Sequence, residues 1–118
     1  MSAKALKIYA RERVFEFIEV ETDENGFIEL ETLQGAVHGT IEHVSIDRPE
    51  CDGIDMWINE EGKLNGLPLN QMATDLSAIW RRGDFIVGDA LVCAFNENGD
   101  AVGLSDAQEK TLRRALSR

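Results

Sequence analysis

Side chains able to do chemistry are concentrated in one short segment of this chain. Residues 59–70, NEEGKLNGLPLN, place an amine and two carboxamides, Lys63, Asn65 and Asn70, among glycines and a proline. Gly62 and Gly66 permit positive φ or close backbone approach, and Asn65-Gly66 is the dipeptide of tight primed turns. Pro68 fixes its own φ and pushes Leu67 toward an extended conformation. The functional reading is a rigid loop offering Lys63, Asn65, Gly66, Pro68 and Asn70 to a small ligand or a nucleotide. The structural reading is a turn that seats Leu64, Leu67 and Leu69 on the core, with Lys63 neutralising Glu60 or Glu61. Gly62-Lys63 is followed by Leu64 instead of Ser or Thr and lacks the earlier glycine, so it is not a phosphate loop.

Other candidates are sparse. His38 and His43 are the only histidines; with Glu42 or Cys51 they make a poor metal set, and neither a metal nor a cofactor is expected. Cys51, between Glu50 and Asp52, is disfavoured as a thiolate, and Cys93, inside an apolar run, behaves as a small hydrophobe. No catalytic residue is assigned. Trp57 shares a strand face with Asp55 and is either an interface anchor or core. Glu19 and Glu21, two residues apart on one strand, belong to the same candidate protein interface.

Residues 59–70 resemble the signature of the domain of unknown function 3846 family, small proteins of bacteriophages and mobile elements. Residues 84–88 look like that family's late strand and residues 104–108 like the start of its closing helix. Gln71 departs from the pattern, standing where the family is expected to carry a basic residue. The resemblance implies a phage or mobile-element accessory protein but no reaction.

Charge is unevenly placed along the chain. Residues 14–62 contain fourteen acids and one base, Arg48, for a formal −13, and the remainder is +3, giving a net −10. Such a segment repels nucleic-acid phosphates, so direct nucleic-acid binding is not expected and the natural partners are basic. One form of that reading is a DNA-mimic-like inhibitor of a defence complex. The plain alternative is solubility.

A length of 118 residues, 43% hydrophobic and 29% charged, fits one globular domain burying about 65% of its unfolded surface. No apolar run approaches the ~20 residues that span a bilayer, and residues 1–7 lack the apolar middle of a signal peptide, so a cytosolic protein is expected. Residues 5–10 and 14–21 read as a hairpin around Arg11-Glu12-Arg13. A short helix is expected over 29–38, strands over 40–47 and 54–59, and an amphipathic helix burying Met72, Leu76, Ile79 and Trp80 before Gly83. The apolar run 85–95 reads as a central or bulged strand, 96–100 as a hairpin turn, 101–104 as its return, and Ser105 with Gln108 as a capping box. Together these predict an α+β domain: a mostly antiparallel sheet with two to three helices packed on one face. Homodimerisation through a free sheet edge is compatible with that fold. The expected function is a non-enzymatic protein-binding module with an acidic face. The alternative is a small-ligand or nucleotide-sensing module built on the Gly62 to Asn70 loop.

Overall fold

The structure, a computed structural model, describes residues 1–11 and 13–117; Glu12 of the expected hairpin connection lies outside them. The described residues form a six-stranded antiparallel sheet and three α-helices. Strands β1 (Ser2–Ile8) and β2 (Phe15–Glu21) make the first hairpin, followed by helix α1 (Leu30–Val37). Next come β3 (Ile41–Ser45), β4 (Ile54–Asn59), helix α2 (Gln71–Ser77), β5 (Ala90–Phe95), β6 (Ala101–Val102) and helix α3 (Asp106–Leu116). Strand order is β2-β1-β5-β4-β3, with β6 also on β5. The predicted α+β class and antiparallel sheet are therefore present.

The centre of the sheet is β5, where Val92 lies opposite Leu6 of β1 on one side and Met56 of β4 on the other. Its residues Ala90 to Ala94 are all buried, so the strand is apolar on both faces and both must be covered. This corrects the expectation that the helices share one face. Ala90, Val92 and Ala94 join Leu6, Met56 and Ile58 under Leu76 of α2 and Leu112 of α3. Leu91 and Cys93 join Ala5 and Val20 on the opposite face under Leu33 of α1.

Local chemistry sets the helix ends. In α3, Gln108 N–H donates to Ser105 Oγ at 3.1 Å while Ser105 N–H donates to Gln108 Oε1 at 2.9 Å, the predicted capping box. Lys4 of β1 reaches over to α3 through Glu109 at 2.6 Å and Asp106 at 3.1 Å. The second predicted helix is shorter than its periodicity suggests. Ala78 takes a left-handed φ of 59° and the chain continues as a 3-10 turn, Ile79–Arg82. The change of pitch moves Trp80 off the buried face; it is 54% exposed, while Met72, Leu76 and Ile79 remain buried.

Two glycines offer a test of this packing. A Cβ on Gly103 would lie 2.6 Å from Ala3 Cβ, against a backbone pinned by the Leu104 N–H bond to Lys4 O, whereas one on Gly35 in α1 would meet nothing within 4 Å. Gly103→Ala is expected to destabilise by about 1–3 kcal/mol through overpacking. Gly35→Ala is expected to stabilise by roughly 0.5–1 kcal/mol through helix propensity. Chemical denaturation of the two variants checks both signs.

Candidate functional site

The segment 59–70 is built from its ends inward. Asn59, the last residue of β4, is buried; its Nδ2 donates to Val37 O at 3.1 Å and His38 O at 3.3 Å, and its Oδ1 accepts from Glu61 N–H at 2.8 Å. It thereby satisfies carbonyls left over at the C-terminus of α1. Asn65 N–H bonds to Glu61 O at 2.9 Å and Leu67 N–H to Gly62 O at 2.9 Å, coiling the loop until Gly66 reverses it at φ +67°. The far end is held by Asn70, 1% exposed. Its Oδ1 caps α2 by accepting from Ala73 N–H at 3.0 Å, and its Nδ2 donates to Ile8 O at 3.0 Å and Gly88 O at 2.9 Å. Between these ends, Gly88 N–H donates to Pro68 O at 2.8 Å and Leu69 bridges Val87.

The expected site residues therefore separate. Asn70 is internal scaffold. Lys63 pairs with Asp84, not with Glu60 or Glu61, and its ammonium sits 4.5 Å over the Phe85 ring. Lys63 beside Asp84 holds that carboxyl below its usual range. Leu64 and Leu69 are exposed and Leu67 is half-buried, so the leucines do not seat on the core as the structural reading had it. Asn65, Gly66 and Pro68 remain at the surface.

The candidate interface is not brought together. Asp55 and Trp57 lie opposite Cys93 and Leu91, on the α1 face. Glu19 lies opposite Lys4, which reaches α3 on the other face, and β2 is separated from β4 by β1 and β5. Trp57 is half-buried in the α1-side core; its indole N–H is buried without a hydrogen-bond partner, and its ring meets that of His43 at 5.3 Å. His43 is paired with Asp55 at 2.9 Å and His38 with Asp89 at 3.2 Å, so the two histidines serve different carboxylates. Burial pushes the Cys93 thiol up to about 12, and burial then Glu50 raise Cys51.

The segment instead forms one wall of an open groove of about 430 Å³. Asn65, Leu67 and Pro68 meet Tyr9 and Arg11 of the first hairpin, His38 at the end of α1, and Asp89. Asp89 organises the polar side. Its Oδ1 accepts from Ala10 N–H at 2.8 Å, while its Oδ2 faces His38 Nε2 at 3.2 Å and Lys7 Nζ at 3.7 Å. Tyr9 donates to Glu16 at 3.2 Å and presents its ring to Lys7 and Arg11, each 5.1 Å from the centroid. Among the described residues Arg11 has no carboxylate within 4.0 Å. The polar groups of the lining are Tyr9, Arg11, His38, Asn59, Asn65 and Asp89. Sequence reasoning does not bring Tyr9, Arg11, His38 and Asp89 together because they come from three separated segments. Asp89, an acid that interrupts the apolar run 85–95, is the one signal that points here.

An antiparallel sheet flanked by helices, with a loop-walled groove at one end, defines a small α+β domain. The family model described as domain of unknown function (DUF3846) matches residues 4–117, and the chain belongs to that family. No curated protein and no solved structure matches it.

The division of labour in the segment is testable. Asn70→Ala removes a helix cap and two buried hydrogen bonds and is expected to cost about 2–4 kcal/mol, whereas Asn65→Ala should stay within about 0.5 kcal/mol. Urea unfolding of the pair measures both. A second test concerns alkali. The Cys93 thiol is raised in the fold, so its contribution is complete below the ordinary thiol range and is lost as pH rises toward about 12. Thermal melts from neutral to alkaline pH should fall less steeply for Cys93→Ala than for the natural chain.

Proposed function

We propose that the protein is a non-enzymatic recognition module whose groove takes a small ligand joining a negatively charged group to a flat apolar body. The observation that carries this reading is the placing of Arg11, a guanidinium without a carboxylate partner among the described residues, beside walls made by Leu67, Pro68 and the Tyr9 ring. A guanidinium beside apolar walls suits an anionic group attached to a flat apolar body. The volume is within the range of small-molecule sites, and the polar groups converge on one side. Asp89 is occupied by Ala10, His38 and Lys7, so it orients the His38 ring and leaves anion recognition to Arg11. This supports a ligand site on the Asn65–Pro68 side of the loop and away from Lys63, whose charge is committed to Asp84.

A second reading is favoured by the charge distribution. Of the fourteen acids in residues 14–62, two stand within 4.0 Å of a described amine or guanidinium, Glu21 by the Met1 amine and Asp47 by Arg81, and Asp55 lies beside the His43 ring. Surplus negative charge of this kind supports capture of a basic protein, in the manner of a phage accessory or anti-defence factor. The dispersal of Glu19 and Glu21 away from Asp55 and Trp57 weighs against a single acidic ridge, which is why the groove leads.

Thermal-shift screening with nucleoside monophosphates and aromatic carboxylates tests the first reading. A ligand present at about 100 times its Kd stabilises the fold by about 2.7 kcal/mol. Stabilisation that is lost in Arg11→Glu and kept in Lys63→Ala is the expected result. Shifts that vanish with Lys63→Ala and persist with Arg11→Glu would move the site to the other side of the loop.

A further inference from the structure

The two edges of the sheet are not alike. The β2 edge carries Glu16, Glu19 and Glu21 within seven residues, a density of like charge that discourages another strand from pairing there. The β3 edge reads Ile41-Glu42-His43-Val44-Ser45, without lysine, proline or a break in its register with β4. A groove of about 390 Å³ runs beside it, with Glu42 to Ser45 on one side and Ile79, Arg82 and Asp84 on the other. Two large apolar side chains are left exposed near that second wall: Trp80 next to Ile79, 54% exposed, and Phe85 next to Asp84, 46% exposed. Glu42 and Arg82 both line the groove, and among the described residues neither has an ion-pair partner within 4.0 Å.

We propose that the occupant is a second copy of this chain, joined β3 to β3 antiparallel about a twofold axis. A twofold interface must be self-complementary, and this groove holds one unpaired acid and one unpaired base on opposite sides. A register centred on His43 sets Glu42 against Val44 of the partner and Ile41 against Ser45, so no two carboxylates are directly opposed. The backbone groups that β3 leaves unpaired are then satisfied, and each Glu42 enters the groove where the other copy's Arg82 stands. Pairing through β2 would bring three carboxylates from each copy together. This assembly is independent of the ligand groove, since neither Arg11 nor His38 takes part.

Sedimentation velocity over a wide concentration range tests it on the full chain. A concentration-dependent dimer is expected. Glu42→Arg and Arg82→Glu should each weaken it about tenfold or more, because each leaves like charges facing across the interface. The double variant should recover most of the loss, as only a self-complementary pair can do. A strict monomer, or a dimer indifferent to both single changes, overturns the proposal. Amide exchange of the natural chain gives a check free of any variant: residues 41–45 should gain protection as concentration rises, and unchanged exchange there overturns the β3 interface.

Discussion

The buried amide of Asn70 is the constraint on which the remaining architecture rests. One side chain accepts from the first turn of α2 and donates to carbonyls of β1 and of the chain entering β5. Three elements far apart in sequence are thus fixed at a single point. Each bond contributes about 1 kcal/mol net, but an unsatisfied group at this depth costs about 1–3 kcal/mol. The asymmetry makes the site all-or-none. A serine or aspartate could cap the helix, yet neither has two N–H donors for the carbonyls of Ile8 and Gly88.

Asn59 does the corresponding work at the other end of the loop, tying β4 to the end of α1. The room for it is set by Gly39, where a Cβ would come within 2.7 Å of the Asn59 amide. Gly62 and Gly88 serve the same close approach, toward Val87 and Leu67 respectively. The loop is therefore clamped at both ends and packed in the middle, and its outer residues are held without making core contacts of their own. Rigid positioning of surface groups by a buried frame is what a recognition site needs.

Much of this was legible in the sequence. The alternation of Ile54, Met56 and Ile58 marked β4, the spacing of Ser105 and Gln108 marked the start of α3, and the glycine and proline content of residues 59–70 marked a determined backbone. What was not legible depended on long-range placement. Helical periodicity from Met72 to Trp80 gave no hint of the left-handed Ala78, whose conformation is imposed by tertiary packing. An apolar run cannot announce that both its faces will be covered, so the helices were expected on one side. The groove was invisible because Tyr9, His38, Pro68 and Asp89 converge only through the order of the strands.

That order has a consequence for how the protein is made. Ile8 pairs with Ala90, about 80 residues downstream, and at roughly 5–20 residues per second the ribosome needs several seconds to supply it. Throughout that interval the first hairpin exists without its central neighbour, with Phe15, Phe17 and Ile18 uncovered. The acids of the early chain are emerging at the same time, and Glu16, Glu19 and Glu21 alternate with those apolar residues along β2. Negative charge along β2 thus acts first as a gatekeeper against aggregation of the nascent chain.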